Sequence, residues 1–319
     1  LELFPTDESA GWQTIGLIIS VVAFGSWFGS FLLTKKKSME IMEEERKAVQ
    51  TEKTVKQQGG NRMESGKESL IKDIFSNYLE LCRLKTMRLL IIYKAAFGCA
   101  FALFNVATIY YLRYSLGLDN RYSSYMYVLT IMVFIITTPF ANKMAIVMGK
   151  ARQQMTCMAV GAVVGCIVFF AAPQSLSGAA CYVIAFSVMQ TSFWQLSSSI
   201  FYDIAEVDEF VNFKRREGDI MSLVSVLGTL ITAVIVQFFG IFLDMSGFNA
   251  ASAVQSDSVI HFLNAAYILT PSICFAVGFV SLAVFPINKQ TFNSLIKALA
   301  LRREGKSYEL YMEDIQKLL

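Results

Sequence analysis

The longest uncharged stretch of the chain is QQMTCMAVGAVVGCIVFFAAPQSLSGAACYVIAFSVMQTSFWQLSSSIFY, residues 153–202. A helix that crosses a membrane needs only about 20 mostly apolar residues, so this stretch is too long for a single span. Its middle, AAPQSLSG at 171–178, is rich in residues that favour turns. Because backbone amides cannot stay unpaired in lipid, the two halves are predicted to be transmembrane helices at about 154–172 and 179–202.

The same pattern of long apolar stretches continues on both sides of this pair. Of the 319 residues, 55% are hydrophobic and 17% charged, whereas soluble domains carry about 25% charged residues. This composition argues against a soluble enzyme. The sequence predicts an all-α integral membrane fold with seven transmembrane helices, at about 13–34, 89–112, 122–142, 154–172, 179–202, 220–243 and 259–287.

The basic residues show which segments share one side of the membrane. Apart from Lys94, which lies inside a span, 25 Lys and Arg fall in alternate segments on one side and 2 on the other. Basic residues concentrate in cytoplasmic loops. We therefore expect a multi-pass protein of the cytoplasmic (inner) membrane, with the N-terminus of the chain outside and the C-terminus in the cytoplasm.

The predicted spans are not evenly spaced along the chain. The only long loop between predicted spans, residues 35–88, ends in an amphipathic helix at about 70–82. The tail after the last span repeats this pattern from Phe292 to Leu299. The chain begins without Met or a signal peptide, so we expect a C-terminal fragment of a longer polypeptide. The expected parts are an external start with an orphan span (1–34), a central cytoplasmic loop (35–88), a six-helix block (89–287) and a cytoplasmic tail (288–319).

Two predicted spans carry polar side chains at helical spacing. The fifth has Ser187, Gln190, Thr191, Trp194 and Ser198, and the sixth has Ser222, Ser225, Thr229 and Thr232 beside Gly228. Taken together, the two stripes and the aromatic ring favour a water-filled cavity. For any single hydroxyl, a hydrogen bond within its own helix or to a neighbouring helix remains the alternative.

Two further polar residues lie inside the second predicted span. Asn105 is too deep to reach water, so it is expected to face protein or a cavity. Lys94 stands closer to the cytoplasmic end, where a lysine can extend its ammonium group to the membrane surface. Such snorkelling, or an ion pair, is favoured over a role in transport.

The densest group of charges follows the fifth span, in residues 202–219. Acids at the end of a helix oppose its dipole and need compensating cations, and the bases at 214–216 are the nearest in sequence. Asp208 and Lys214 are expected to be solvated. The expected cytoplasmic ion-pair cluster, whose making and breaking could accompany a gate, comprises Asp203, Glu206, Glu209, Arg215 and Glu217.

The sequence lacks the motifs of other protein classes. It has no phosphate-binding loop, no metal-ligand spacing and no nucleophile motif, and membrane topology accounts for its basic residues. We therefore expect no catalytic residues, no metal, no cofactor and no nucleic-acid partner. The six cysteines are interpreted as buried free thiols.

Several segments resemble the glycoside–pentoside–hexuronide:cation symporters, the family of melibiose permease within the major facilitator superfamily. The resemblance covers about 89–305 and is most specific from the fifth span into the following loop. The matching segments are Thr191-Ser192-Phe193-Trp194, Asp203-Ile204-Ala205-Glu206, Glu209-Phe210, Arg215, Glu217, Ile109-Tyr110-Tyr111-Leu112, Leu116-Gly117 and the tail at 299–303.

This resemblance implies that the chain supplies helices 6–12 of a twelve-helix transporter. It implies cation-coupled symport of a sugar, glycoside or uronide across the bilayer, driven by Na⁺ or H⁺ bound in the missing N-terminal six-helix half. Trp194 would stack on the sugar, and Ser225 and Thr229 would face it. One departure is that melibiose permease carries a lysine at the position of Thr229 and a glutamine at that of Val224.

With the polar stripe and the deep amide included, the candidate substrate-binding residues are Trp194, Gln190, Ser225, Thr229 and Asn105. Two alternatives remain open at this point. The same fold could carry a lysolipid or another amphiphile, or the seven spans could form a receptor. The long first internal loop and the lack of evident external cysteines argue against the receptor.

Overall fold

The structure is a computed structural model that describes Phe24, Gly25, Phe28 and residues 76–316 apart from 173, 215 and 253. Most of the first predicted span, 13–34, and most of the loop at 35–88 therefore lie outside the described residues. Phe24 and Phe28 are helical, and their rings stack 5.9 Å apart. The chain divides into two units, of which the first, Leu1–Leu70, includes these two residues and the second, Ile71–Leu319, includes the helices described below.

Every regular element in the described part of the bundle is helical. Six helices are long and apolar enough to cross a membrane, and each overlaps one of the predicted spans over most of its length. They are α1 (Lys85–Tyr110), α2 (Asn120–Met148), α3 (Lys150–Ala171), α4 (Leu176–Asn212), α5 (Glu217–Met245) and α6 (Asp257–Ala283). Two short helices follow, α7 (Lys289–Arg303) and α8 (Met312–Gln316), with a 3-10 turn at Glu309–Tyr311 before α8.

The predicted break between the two helices of the uncharged stretch is confirmed. Helix α3 ends at Ala171, and α4 begins at Leu176 after Ser175, whose Oγ accepts a hydrogen bond of 2.9 Å from the amide of Gly178. A serine at this position satisfies one of the first amides of a helix, which have no partner inside it. The turn therefore has the chemistry that the sequence suggested.

Each of the six long helices begins before its predicted span, but α3 ends at Ala171 and α6 at Ala283, short of the predicted bounds at 172 and 287. The largest extension is in α4, where the prediction ended at Tyr202 and the helix continues to Asn212. Charged side chains do not terminate a helix whose last turns lie outside the apolar layer. This extension places the acids at 203–209 on the bundle rather than in a loop.

Buried aromatic rings mark the centre of the bundle. Helices α1, α4 and α6 contribute large buried side chains, including Phe97, Phe193 and Phe275. Helix α3 packs between α4 and α6, while α2 and α5 are the most exposed of the six long helices. The face between α2 and α5 therefore presents α1 and α4 together with the exposed sides of both outer helices.

Two π-helical turns interrupt the inner helices at the same level. Helix α1 continues into the π turn Tyr111–Ser115, and α6 contains another at Ala265–Leu269. The rings of Tyr111 and Tyr267 stack there with centroids 4.4 Å apart. Because π turns are rare and add a residue to the helical ladder, this pair of turns fixes how α1 and α6 pack.

Close packing of α3 on α6 uses the small residues at Gly161 and Gly165. A Cβ atom added at Gly165 would overlap Oγ of Ser272, and one added at Gly161 would lie 3.0 Å from the ring of Phe275. The two helices therefore approach each other at a distance that only glycine permits.

One end of the bundle gathers most of the described basic residues, and we call it the basic end. It comprises the described residues of 76–88, 143–153, 203–219 and 284–316. Residues 76–83 are helical there, as expected for the amphipathic segment, and Leu81 is buried. Helix α7 begins with a capping box at Asn288 and buries Leu295 and Leu299. The helical segment 76–83 and helix α7 thus pack on the bundle.

Candidate functional site

The face between α2 and α5 is built on a stack of aromatic rings. Phe97 of α1 and Phe193 of α4 stack with centroids 3.4 Å apart, and Tyr93 lies 5.5 Å from Phe193. All three side chains are buried. The stack joins α1 to α4 near the middle of both helices, next to the residue that follows Phe193.

That residue is Trp194, which the sequence singled out as the aromatic platform. Its ring meets three phenylalanine rings nearly at right angles, with centroid distances of 6.1 Å to Phe97, 5.9 Å to Phe101 and 5.6 Å to Phe193. The residue nevertheless remains 49% exposed. A tryptophan held by its neighbours and half exposed offers a rigid apolar face and an N–H donor to a ligand.

Lys94 belongs to the same face, although it was not among the substrate-binding candidates. It stands nine residues into α1, about 13 Å along the helix axis from Lys85. Its Nζ lies 4.8 Å from the ring centroid of Phe193 and 5.7 Å from that of Trp194. The ammonium group therefore points toward α4 instead of extending to the basic end, and the snorkelling expectation is wrong.

The lysine also brings α5 into the site. A Cβ atom added at Gly228 would lie 3.4 Å from Cε of Lys94 and 3.9 Å from its Nζ. Ser225 and Thr229, the two predicted sugar-facing hydroxyls, flank this glycine and are exposed. The structure thus brings the α5 candidates close to the lysine and the tryptophan.

The exposed hydroxyl and amide groups of these candidates are only partly engaged by their own helices. Thr229 donates to the carbonyl of Ser225 at 3.2 Å, and the amide of Asn105 donates to the carbonyl of Phe101 at 2.7 Å. Asn105 is exposed and follows Phe101 by one helical turn. Gln190 is half-buried, one turn from Trp194 on α4. Both residues extend the site toward the end opposite the basic end.

Two members of the α4 stripe have a packing role. Ser187 and Thr191 are fully buried, and each donates to the carbonyl four residues earlier in α4. Thr137 of α2 also donates to Oγ1 of Thr191 at 3.1 Å. For these two hydroxyls the alternative of helix–helix packing is correct, because the stripe is wider than the exposed face.

The sequence did hold a signal for Lys94. It was the one charge fully inside a predicted span, and a charged group at the centre of a transmembrane helix costs about 2.5–3.5 kcal/mol. Cation–π contacts return only about 0.5–2 kcal/mol. What the sequence could not show is the direction of the side chain, which depends on the space that Gly228 leaves open.

At the basic end, Asp203 forms an ion pair within the bundle. Nζ of Lys150, at the start of α3, donates to both carboxylate oxygens of Asp203 at 2.8 and 2.9 Å. The expected partners were the bases at 214–216. Because α4 continues straight past Asp203, this carboxylate faces α3 and lies far from the α4–α5 junction.

The other members of the predicted cluster are also spread along this end. Arg303 of α7 donates to both oxygens of Glu209, with the shortest distance 2.6 Å. Glu206 and Glu217 each take part in an electrostatic or hydrogen-bonding contact. Arg215 lies outside the described residues. Two members of the predicted cluster, Asp203 and Glu209, are therefore paired with neighbouring helices, through Lys150 and Arg303.

A second correction concerns Asp208, which was expected to be solvated. Its side chain is 0% exposed and forms a two-pronged ion pair with Arg216, at 2.8 Å from Nε and 2.7 Å from Nη2. Glu80 accepts hydrogen bonds from Arg216 at 2.7 Å and from Lys214 at 3.0 Å. Lys214 therefore has a partner as well. The network ties residues 76–83 to the α4–α5 junction.

Two groups of this network have shifted pKa values. Hydrogen bonds from Lys214 and Arg216 lower the pKa of Glu80. Hydrogen bonds to Asp208, and then to Glu80, raise the pKa of Arg216 despite its burial. Both shifts favour the charged forms, so the network is ionic at neutral pH.

A cavity of about 780 Å³ opens at the basic end between α2, α3, α4 and the segment before α7. Its wall contains the Lys150–Asp203 pair, together with Lys289, whose Nζ donates to the carbonyl of Ile146 at 3.3 Å. Apolar side chains form much of the remaining lining, among them Leu196, Ile200, Phe285 and Phe292. This cavity is distinct from the face that carries Trp194.

Within the described part of the chain, no cluster of His, Cys, Asp or Glu has the arrangement of a metal site. The six cysteines are free, and five of them are partly buried. What the described residues provide instead is an intramembrane face with an exposed tryptophan, a lysine and hydroxyl groups, and ion pairs at one end. That arrangement suits binding and movement rather than bond-breaking chemistry.

A family model described as MFS/sugar transport protein matches residues 2–289. The chain belongs to this family. The resemblance noted in the sequence is thereby confirmed at the level of the major facilitator superfamily and its sugar transport proteins. No curated protein matches the chain.

Membership of the MFS/sugar transport family fits the observed fold. The six long apolar helices and the family together identify a multi-pass membrane protein. The family consists of transporters and is generally non-enzymatic. The Trp194 face is thus the intramembrane surface of a sugar transport protein of the major facilitator superfamily.

Proposed function

We propose that this MFS/sugar transport protein couples the uptake of a sugar, glycoside or uronide to the movement of a cation. The observation that carries the proposal is the half-exposed Trp194 at mid-membrane, held by Phe97, Phe101 and Phe193 beside the hydroxyls of α5. A sugar presents an apolar C–H face and a rim of hydroxyls. A fixed aromatic face with polar side chains around it complements both features.

Each proposed substrate contact follows from the position of the side chain. Trp194 stacks on the sugar ring, and Ser225 and Thr229 exchange hydrogen bonds with its hydroxyls from α5. Gln190 and Asn105 do so nearer the end opposite the basic end. Since all five lie on one face of α1, α4 and α5, a second helical half packed against that face would enclose the sugar.

The proposed transport cycle is alternating access by rocking of two halves. Residues 89–287 form one half, and an N-terminal six-helix half supplies the other. The ion pairs Lys150–Asp203 and Glu209–Arg303 lie at the basic end, where a gate on this side has to open and close. With Glu206, Arg215 and Glu217, they form the proposed gate cluster, which rearranges as the halves rock.

The proposed coupling ion is Na⁺ or H⁺. In the described parts of the long helices, acidic residues lie only near the helix ends and not at mid-membrane. Acidic residues inside membrane spans commonly mark ion pathways and proton relays. We therefore assign the cation site to the N-terminal half.

The proposal is tested by glycoside binding to the intact transporter in detergent, measured by isothermal titration calorimetry with a panel of nitrophenyl glycosides. Trp194→Ala removes the stacking surface and is expected to abolish binding, whereas Trp194→Phe retains part of it. Phe170→Ala is the matched control, because Phe170 is 79% exposed on α3, away from this face. Unchanged affinity in Trp194→Ala would show that the site is misassigned.

A second candidate is an amphiphile carrier with the same fold. The basic-end cavity favours it, because apolar walls and two lysines suit a molecule with an acyl chain and a polar head. Binding of a spin-labelled lysophospholipid, with none of any glycoside, would select this candidate. The family match favours either transporter over the seven-helix receptor.

The proposed orientation places the basic end in the cytoplasm of an inner membrane, with the first residue of the chain outside. It can be tested with Lys306→Cys at the basic end and Val254→Cys at the opposite end, both exposed positions. A membrane-impermeant maleimide added to intact cells should label only the second. Labelling of the first alone would reverse the orientation.

A further inference from the structure

The niche around Lys94 is enclosed by three helices. Its ammonium group lies over Phe193 at 4.8 Å and beside Trp194 at 5.7 Å, both on α4. From α5, Gly228 leaves the space that Cε and Nζ occupy. The lysine is therefore directed into the Trp194 face by the packing around it, at the level where the sugar is proposed to bind.

The charge of Lys94 is not neutralised within the part of the chain that the structure describes. There its ammonium group makes ring contacts but no ion pair and no hydrogen bond. Thr229, which follows Gly228 on α5, uses its hydroxyl proton for the carbonyl of Ser225. A lysine carries three donors and no acceptor, and no described group accepts a hydrogen bond from this ammonium group or neutralises its charge.

We propose that Lys94 binds an anionic group on the substrate, which makes anionic glycosides the preferred substrate class. This inference rests on the proposed function. A sugar stacked on Trp194 has its ring edge beside the ammonium group, so a carboxylate, sulfate or phosphate on that edge reaches Nζ. The neighbouring rings shield the ammonium group from part of the surrounding water, which strengthens the attraction.

Another arrangement would also neutralise the lysine. A carboxylate from a part of the transporter outside the described residues could pair with Lys94 permanently. In that case the ammonium group would hold two parts of the protein together and would not distinguish one sugar from another. The two arrangements predict opposite effects of removing the charge on substrate preference.

The experiment uses matched pairs of ligands on the intact transporter. Nitrophenyl glucuronide and nitrophenyl glucoside differ only by a carboxylate in place of a hydroxymethyl group, and the galacturonide and galactoside form a second pair. Dissociation constants are measured by isothermal titration calorimetry for the native protein, Lys94→Met and Lys94→Arg. Lys85→Met is the control, since Lys85 is an exposed cation at the start of the same helix.

The native protein is expected to prefer the anionic member of a pair. Lys94→Met should reduce that preference by about 30-fold or more, the usual effect of leaving one member of a buried charge pair unpaired. Affinity for the neutral member should change by less than about 3-fold. Lys94→Arg should retain much of the preference, and Lys85→Met all of it.

Three results would overturn the inference, and they differ in whether the proposed function also fails. Equal affinity for both members in the native protein removes the anion preference and leaves the proposed function standing. An equal loss of both ligands in Lys94→Met removes Lys94 as the source of any preference and assigns it to a pair within the protein; the proposed function again stands. Binding of no glycoside by the native protein removes the proposed function as well.

Discussion

At the scale of single residues, the Asp208–Arg216 pair controls the α4–α5 junction. Both side chains are buried, and the guanidinium group meets the carboxylate with two nearly parallel hydrogen bonds. Removing charges from water is costly, so such a pair stabilises a fold mainly when every polar atom is satisfied. Asn212 and Glu80 complete that requirement, by donating to Asp208 and accepting from Arg216.

Replacing Asp208 with Leu should therefore be strongly destabilising, because it leaves Arg216 buried without its main partner. The expected loss is about 3–5 kcal/mol in the free energy of unfolding, visible as a fall in Tm of the purified protein. The double variant Asp208→Leu/Arg216→Met should recover much of the loss. Glu304→Gln, which breaks the exposed pair with Lys306, should leave Tm unchanged. A normal Tm for Asp208→Leu would contradict this account.

For single residues, the sequence predicts the general location of a side chain but not its partner. The sequence placed Trp194 on an exposed polar face and grouped the acids of 203–217 at one end of the bundle. It could not assign their partners, because pairing depends on how far α4 continues and which neighbour it faces. The expectations of a solvated Asp208 and of a Lys94 that extends to the membrane surface are wrong for that reason. Asp208 pairs with Arg216 across the end of α4, and Lys94 contacts Phe193 on a helix that is distant in the sequence.

At the scale of elements, the spans were predictable and their packing was not. Lack of charge over about 20 residues predicts a transmembrane helix, and each predicted span on described residues lies largely within one. Most predicted bounds were too short, since polar helix ends outlast the apolar layer, whereas the bound at 287 was too long, because α6 ends at Ala283. Gly161 and Gly165 pack against α6, a partner that spacing along the sequence does not identify.

The close approach of α3 and α6 gives a sharp prediction for Gly165→Ala. The added methyl group overlaps Ser272 and also comes within 3.1 Å of the ring of Tyr182, so the helices must separate. Such overpacking should cost about 1–3 kcal/mol and lower Tm. Gly240→Ala on α5 is the matched control, because no atom lies within 4 Å of its added Cβ. Equal Tm values for the two variants would refute the close approach.

The docking of the helical segment 76–83 should depend on pH through Glu80. Its pKa is lowered in the folded protein, so its ionic contacts stabilise the docked segment at neutral pH. That stabilisation is lost as the pH falls below about 4.3, the ordinary pKa of a glutamate, and through the lowered folded value.

Amide hydrogen exchange of residues 76–83, corrected for intrinsic rates, is the appropriate measurement for this segment. Protection should be high at neutral pH and fall in acid. Glu80→Gln, which cannot ionise, should show low protection at both pH values. Protection that is independent of pH in the native protein would show that apolar contacts such as that of Leu81 hold the segment without Glu80.

At the scale of the whole molecule, one face of the bundle combines exposure with polarity. Helices α2 and α5 are the least buried long helices, and between them lie the lysine, the tryptophan and the exposed hydroxyls of the site. A lipid-facing surface would not carry these groups at mid-membrane without cost. We therefore infer that a second half of the transporter covers this face, and that the sugar lies between the halves.

Uptake of a radiolabelled glycoside into proteoliposomes that contain the intact transporter tests this central claim most directly. The account predicts uptake that an inward Na⁺ or H⁺ gradient stimulates and that Trp194→Ala abolishes, while Phe170→Ala leaves it intact. Stimulated uptake of undiminished rate in Trp194→Ala, or no glycoside uptake under either gradient, would contradict it.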